Sequence, residues 1–318
     1  MPLGETLAGI GLGVLATCSF SYAPVLQKGA VDQMDAISMT KNFGSSLRGM
    51  LTNRRWLLGA ALATLGGLPY VAALDLVGIS VLQPVMSFGF LVLVYFSVKQ
   101  LGEKLRKVDA LGIALMVAMP ALLAVAGVTN VQASLLNDGR TQRLLATYAG
   151  AFAGLVGVLL LVDHWSREDR RSGLYWTLAT GASFAVGALF LQGTFAVLRD
   201  LGLDLFDDAE VVARLVFAGD PAAWTAVVLA AASALANGFG VFILQVAFQK
   251  WTATRVGTIN QTVNTLVAIT GGIVVFGQEV GRPSAYAAAV AFALLGTALL
   301  GRHQRPPKMS AETSRVPI

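Results

Sequence analysis

Long apolar runs, separated by short polar segments, occupy most of the chain. Nine of these runs reach, or come close to, the roughly 20 residues that a membrane-spanning helix needs. They do not show the alternation of apolar and polar positions that is typical of membrane β-barrels. The pattern therefore predicts an all-α polytopic membrane protein, with spans at about 6–26, 55–74, 76–98, 108–128, 144–162, 173–198, 223–248, 256–276 and 283–300.

The predicted spans fall into a four-one-four arrangement. Residues 1–128 form a first four-span unit with a polar segment at 29–54, and residues 129–172 hold the linking fifth span and a loop. Residues 173–301 form a second unit with an acidic segment at 199–222, followed by a Pro-rich, basic tail at 302–318 that we expect to be disordered. Because one span separates the units, they would be inverted repeats. We interpret 29–54 as an interfacial, amphipathic segment; if part of it crossed the bilayer, the count would be ten.

Lys and Arg residues are concentrated on one side of the predicted spans. With the N-terminus outside, 18 of the 23 lie in the tail and in the segments 28–55, 99–107, 163–172 and 249–255. Cytoplasmic loops of membrane proteins carry such an excess of positive charge. The sequence thus predicts a multi-pass protein of the plasma membrane with a cytoplasmic C-terminus and an external N-terminus.

The overall composition excludes several classes of function. Only 13% of the residues are charged, against about 25% in soluble domains. The net charge of +5 comes from short loops, where topology explains it, so no nucleic-acid partner is expected. The one cysteine, Cys18, cannot form an intramolecular disulfide, and both histidines, His164 and His303, lie in polar flanking segments. We predict no metal site and no cofactor.

Two stretches resemble each other and indicate an internal repeat. Leu74 to Glu103 reads as one span with a polar cluster at mid-depth and a Gly-Glu pair at its end. Val256 to Glu279 has polar residues early and closes with Gly277 and Glu279. In secondary transporters, internal repeats enclose a substrate site near the bilayer midplane. The alternative is that two polytopic helices share glycines and polar residues by coincidence.

The polar residues inside these spans are the first candidates for a binding site. Polar side chains within a membrane are costly unless they are paired, and they usually face the bundle interior. A proline in mid-span can kink the helix, and broken helices often line sites in transporters. The candidate substrate-binding residues from the two stretches are Gln83, Pro84, Ser87, Asn260, Gln261 and Asn264.

Two further candidates, Asn237 and Gln245, lie in the seventh span, which also carries Ser233 and Gln249 at steps of about four residues. Such a stripe suggests a water-accessible path through the membrane. The alternative is that these side chains hydrogen-bond between helices, which is worth about 0.6 kcal/mol on average.

Charged residues at the ends of spans are candidates for a gate. Glu103 and Glu279 close the two similar stretches, and Asp75 lies in the tight turn between spans 2 and 3. Lys28 and Lys250 end spans 1 and 7, each directly after a glutamine. The alternative for the carboxylates is an ordinary interfacial charge or a turn residue.

Short motifs make the chain similar to the drug/metabolite transporter superfamily, and within it to the NIPA-like branch of magnesium transporters. They are Trp56-x-x-Gly59, Ala72-Ala73-Leu74, Gly78, Ser80, Gln83-Pro84, Gly102-Glu103, Gly112, Gln245, Ala247, Gln261 and Glu279. The four-one-four span count also fits that branch. The resemblance implies a transporter with two inverted repeats and, for the NIPA-like branch, a magnesium substrate.

One departure argues against magnesium. In the NIPA-like pattern a Gly-Glu pair followed by Asn lies in the second span, whereas this chain has Gly66-Gly67-Leu68-Pro69-Tyr70 there. A hard dication usually requires at least one or two carboxylate ligands. The polar cluster is neutral and rich in amides, and suits a neutral or zwitterionic metabolite or a weakly held cation.

These observations predict a secondary transporter that moves a small solute by alternating access through a polar midplane cavity. The alternatives are a transporter of Mg²⁺ or another divalent cation and a non-transporting membrane assembly partner. An enzyme is not expected, because the spans contain no histidine, no acid deep within them, and one cysteine without a base. The expected partners are the solute or cation and the lipid bilayer, and a homodimer is compatible with the sequence.

Overall fold

The computed structural model describes residues 3–37, 43–70, 72–73, 85–86, 88–127, 134–165, 172–203 and 221–301. Helices are the main elements that these residues form. They are α1 (Leu3–Val31), α2 (Phe43–Thr52), α3 (Arg54–Leu65), α4 (Gly89–Leu101), α5 (Lys107–Ala126), α6 (Gly139–Trp165), α7 (Ser172–Asp200), α8 (Pro221–Lys250), α9 (Ala253–Phe276) and α10 (Pro283–Gly301).

Seven of these helices, α1 and α5 to α10, are long and apolar enough to cross a membrane. They correspond to predicted spans 1 and 4 to 9, so the prediction of a polytopic helical membrane protein is confirmed. In the region of spans 2 and 3, α3 has 12 residues and α4 has 13. Residues 74–84, where these two spans were predicted to meet, lie outside the described residues.

Apolar side chains point outward from the helices, and many polar ones point inward. Leu235 of α8 is 75% exposed and Leu294 of α10 is 64% exposed, whereas Thr177 and Thr180 of α7 are completely buried. Each of these threonines donates its hydroxyl to a backbone carbonyl one turn earlier in its own helix. An apolar exterior of this extent suits a protein surrounded by lipid.

The first helix and the polar segment after it differ in part from the sequence prediction. Helix α1 continues to Val31, past the predicted end of span 1 at Leu26, because its last turns are buried against the end of α8. Within 29–54, α2 is amphipathic, with Met50 buried and Leu51 exposed. Its ten residues cover only about 15 Å, half of a bilayer core, so α2 itself does not span.

Helix α3 and the residues after it run antiparallel to α1. A Cβ at Gly59 would lie 2.9 Å from the carbonyl oxygen of Ala23, and Ala73 packs near Leu12. The chain from Gly59 to Ala73 therefore passes along α1 from the level of Ala23 to that of Leu12. Small residues at these positions allow the two backbones to approach closely.

Helices α5 and α10 cross at two opposed glycines. A Cβ added at Gly112 would lie 3.2 Å from the carbonyl oxygen of Gly296, and one added at Gly296 would lie 2.9 Å from that of Gly112. Met116 and Leu300 fill the space beside this crossing and are completely buried. Glycine is required here by the close approach of two backbones, as at other small-residue crossings of membrane helices.

Hydrogen bonds between helix ends define two ends of the bundle. We call the end at which α1 and α8 finish and α9 begins the Lys28 end, because Lys28 there donates to the carbonyl oxygen of Phe248. At the opposite end, the backbone N–H of Arg282 donates to Ala126 O at 2.9 Å, and Asp200 accepts from the N–H groups of Leu135 and Leu136.

Candidate functional site

A cavity of about 450 Å³ lies among helices α1, α3, α4, α5, α7, α8 and α9. This volume is within the range of small-molecule sites, about 300–1,000 Å³. Elements from both predicted units form its wall. Its polar side chains are Ser21, Gln27, Asn260, Gln261, Asn264 and Thr265, and its aromatic side chains are Phe20, Tyr70, Phe90 and Phe184.

Three of the predicted binding residues lie on this wall. Asn260, Gln261 and Asn264 all come from α9 and line the cavity. Because Asn260 and Asn264 are four residues apart, they lie on the same face of the helix, one turn from each other. The predicted residues of α9 therefore lie together on the wall of a polar cavity.

The other predicted residues of the midplane cluster, Gln83, Pro84 and Ser87, lie outside the described residues, as does Asp75. Described residues close to this stretch do reach the cavity. Tyr70, Met86 and Gly89 all line it. The hydroxyl of Thr17 in α1 contacts the sulfur of Met86 at 3.0 Å, which places Met86 beside α1 at the level of Thr17.

The amide oxygens of Asn260 and Asn264 are buried, and neither has a hydrogen-bond partner among the described residues. Leaving a buried acceptor unpaired costs about 1–3 kcal/mol. Both residues line the cavity, so a rotation of either side chain would bring its oxygen to water or a solute there, and a hydrogen bond from that molecule would recover this free energy. The unpaired amides thus distinguish this face of α9 from one that serves only to join helices.

Gln27 of α1 also lines the cavity, and sequence analysis did not select it. Its Oε1 accepts a hydrogen bond of 3.3 Å from Nε2 of Gln245, which also donates to Val241 O at 3.1 Å. Gln245 is completely buried, so Gln27 lies between it and the cavity. A polar residue at the end of an apolar run has the pattern of a residue at the membrane surface, so the sequence gives no signal that Gln27 lines a cavity.

Asn237 and Gln245, two further predicted binding residues, are not among the described residues that line this cavity. Gln245 lies behind Gln27, and Asn237 donates to Ser233 O of its own helix at 2.8 Å, where α8 packs on Gly187 of α7. Ser233 donates to the carbonyl oxygen of Gly187 at 2.7 Å. Ser233 and Gln245 thus bond α8 to α7 and α1, which is the kind of contact that the alternative interpretation of the stripe describes.

At the Lys28 end, on the side of Gln27 away from the cavity, polar contacts join α1 to α8. The ammonium group of Lys28, which is 5% exposed, pairs with Asp32 and donates to Phe248 O. Gln249 donates to Val31 O at 3.3 Å and accepts from the N–H of Ile37 at 2.8 Å. The ends of predicted spans 1 and 7 are therefore bonded directly to each other.

Glu103 caps the first turn of α9. Its carboxylate accepts hydrogen bonds from the backbone N–H groups of Ala253 and Thr254, the latter at 3.1 Å. A negative charge at a helix N-terminus is favourable because the first N–H groups have no partner in the helix and the helix dipole is positive there. This contact joins the first predicted unit to the second.

Asp109 and Arg255 form an ion pair close to the Glu103 cap, since Arg255 directly follows the capped residue Thr254 in the chain. Their closest atoms are 2.8 Å apart, and their side chains are 6% and 14% exposed. The second carboxylate oxygen of Asp109 accepts from the N–H of Arg106 at 3.1 Å and so caps α5. Neither residue was among the predicted gate residues, because each lies in a basic or polar segment at a span end, where charged residues are expected.

Lys250 bonds at the Lys28 end to the linking helix and to the start of α7. It lies 3.4 Å from the carboxylate of Asp163, donates to the hydroxyl of Ser172, and lies over the ring of Trp176. The indole N–H of Trp176 donates to the same carboxylate at 2.7 Å. Lys250 is therefore part of a compact anchor for α6 and α7.

Glu279 lies in the connection between α9 and α10, at the opposite end of the bundle from Glu103. The backbone geometry, however, makes Gln278, and not Glu279, the position equivalent to Glu103 in the second stretch. Gly102 and Gly277 end α4 and α9 with φ near +65° and +69°, and the N–H groups of Glu103 and Gln278 donate to equivalent carbonyls at 3.3 Å. The two acids are therefore offset by one residue within the apparent repeat.

No group of three or more His, Cys, Asp or Glu side chains that could hold a metal ion occurs in the part of the chain that the structure describes. The sequence matches no protein-family model, no curated protein and no solved structure.

Proposed function

We propose that the protein is a secondary transporter of the drug/metabolite transporter type, which moves a small solute by alternating access through the cavity between its two halves. The carrying observation is that a cavity of about 450 Å³ is lined by amides of α9, by Gln27 of α1 and by residues of both units. Solute sites between two halves are the usual arrangement in transporters built from repeats.

The pairing of helices supports two related units. In the first, α1 packs on α3 and α4; in the second, α7 packs on α8 and α9; and α5 packs on α10. If α1, α3, α4 and α5 correspond to α7, α8, α9 and α10, the same neighbours recur in both units. Since α1 ends at the Lys28 end and α7 begins there, units related in this way would be inverted with respect to each other. The proposal thus has nine crossings, with α6 as the link.

The contacts at the Lys28 end have the properties of a closed gate. The bond between Gln27 and Gln245 lies at the cavity wall, and the Glu103 cap and the Asp109–Arg255 pair join the units beyond it. Access from this end requires that these contacts separate. The basic segments meet here, so the positive-inside rule assigns the Lys28 end to the cytoplasm.

Uptake into liposomes tests the proposal. Purified protein would be reconstituted and incubated with a mixture of neutral, zwitterionic and charged metabolites and with Mg²⁺, and the retained solutes would be identified by mass spectrometry. We expect saturable uptake of at least one organic solute, reduced at least tenfold by Asn264→Leu. Leu235→Ala, a substitution on the lipid-facing surface, is the matched control and should leave uptake unchanged.

Two outcomes would contradict the proposal. Uptake of Mg²⁺ alone would favour the cation transporter implied by the NIPA-like resemblance. Retention of no solute above protein-free liposomes, with the protein folded and present in both orientations, would favour a non-transporting assembly partner.

A further inference from the structure

The wall of the cavity combines aromatic rings with a small polar region. Phe20 and Tyr70 pack edge to face with their ring centroids 6.2 Å apart, and Phe90 and Phe184 contribute two further rings. Aromatic side chains favour offset-stacked or edge-to-face contacts with other rings. A planar aromatic solute would therefore find favourable ring contacts over much of this wall.

Hydrogen bonds fix which end of the Gln27 amide faces the cavity. Nε2 of Gln245 must point to Val241 O, since a carbonyl oxygen can only accept, and the same NH₂ group meets Gln27. Gln27 therefore presents Oε1 to Gln245, and its own NH₂ group has no hydrogen-bond acceptor among the described residues. The NH₂ group of Gln27 is thus oriented as a donor for an acceptor atom of a solute.

The face of α9 supplies the complementary groups. The oxygens of Asn260 and Asn264 are buried acceptors without a donor in the described chain, and because both side chains line the cavity, a rotation of either one brings its oxygen to a solute. A solute that carries both an acceptor and a donor on a planar edge can satisfy Gln27 on one side and an asparagine on the other. Carbonyl-bearing heterocycles have such an edge.

The side chains of the described residues that line the cavity carry no formal charge at neutral pH. An ion that enters a largely apolar site must leave its hydration shell, which is costly without an opposite charge or a full set of hydrogen bonds. The lining therefore favours an uncharged solute over an ion.

We propose, building on the transport role proposed above, that the cavity binds uncharged, planar heteroaromatic solutes of the nucleobase class. Gln27 donates a hydrogen bond to a ring carbonyl of the solute, and the asparagines of α9 accept from its N–H groups. Gln245 is a positioning residue, which fixes the orientation of the Gln27 amide without touching the solute.

Binding to the full-length protein in nanodiscs tests this proposal, with hypoxanthine and purine as the probe pair. The two molecules share a ring system, but hypoxanthine carries a carbonyl oxygen and an N1–H group where purine has a C–H and an unprotonated nitrogen. We expect the wild-type protein to bind hypoxanthine at least tenfold more tightly than purine, since one neutral hydrogen bond already accounts for about a factor of ten. Gln27→Ala should reduce this preference to the part that the N1–H group contributes and leave purine affinity within about threefold of wild type.

Gln245→Leu should likewise reduce the preference for hypoxanthine, although Gln245 does not line the cavity. A purely structural defect would weaken both probes equally, so the ratio of the two affinities separates positioning from damage to the fold. Leu235→Ala should leave both affinities and their ratio unchanged.

Each remaining outcome has a distinct meaning. A preference that Gln27→Ala leaves undiminished would overturn the role of Gln27. Binding of leucine, phenylalanine or Mg²⁺, with neither heterocycle bound, would overturn the solute class but leave a transport function standing. If no probe binds and the liposomes retain no solute, both proposals fail.

Discussion

Removal of the Glu103 carboxylate should open the first turn of α9. The carboxylate accepts two backbone hydrogen bonds, from Ala253 and Thr254, and both of these residues are almost completely buried. A hydrogen bond to a charged group contributes about 1.5–3 kcal/mol, and replacing a helix-capping residue by alanine costs about 0.5–2 kcal/mol. We therefore expect Glu103→Ala to destabilise this turn by about 2–3 kcal/mol.

Hydrogen–deuterium exchange followed by mass spectrometry measures this effect locally. Since 1.4 kcal/mol corresponds to a factor of ten, exchange of the amides of residues 253–255 should accelerate about 30–150-fold. Glu103→Gln keeps one acceptor but removes the charge, so it should show a smaller acceleration. Lys104→Ala, a change at the neighbouring exposed position, is the matched control.

Unchanged exchange at residues 253–255 in Glu103→Ala would refute this reasoning. An equal acceleration in Lys104→Ala would attribute the effect to the loop between α4 and α5 rather than to the cap.

Two further predictions concern contacts between the halves. The Asp109–Arg255 pair is buried, and breaking a buried pair costs about 3–5 kcal/mol, so Asp109→Asn and Arg255→Gln should each lower the unfolding temperature in detergent. The double variant should lose less stability than the sum of the two single variants. Additive losses would show that the two residues are not coupled. Gly112→Ala and Gly296→Ala should each destabilise the protein by about 1–3 kcal/mol, because the added methyl group meets a backbone oxygen at the crossing of α5 and α10. Gly150→Ala, with open space at its Cβ, is the control and should be neutral or stabilising. Equal effects at all three positions would contradict the close crossing.

The apolar runs were sufficient to predict the seven long helices of the described chain, because a span must be long and apolar and its backbone must be satisfied within the helix. The sequence also indicated Asn260 and Asn264, since a polar amide inside an apolar helix is costly unless it is paired or faces the bundle interior. The sequence could not distinguish these two asparagines, which line the cavity, from Asn237, which is also surrounded by apolar residues. The difference depends on the neighbouring helix: Asn237 faces α7 at Gly187, and the asparagines of α9 face the cavity.

Residues that depend on distant packing were not predictable. Gln27 is bonded to a residue 218 positions away, and Asp109 to one 146 positions away. Both lie near span ends, where polar residues are expected at the membrane surface and give no signal of burial. The extension of α1 past Leu26 has the same cause, because the end of α8 covers residues that would otherwise be exposed.

The polar face of α9 should border a water-accessible cavity within the membrane-embedded bundle. Asn264→Cys, in a chain that also carries Cys18→Ser, can be tested in liposomes with a membrane-impermeant thiol reagent. We expect Asn264→Cys to react, while Leu235→Cys on the lipid-facing surface does not. Failure of Asn264→Cys to react from either side of the membrane, in a folded protein, would contradict the assignment of this cavity as the solute path.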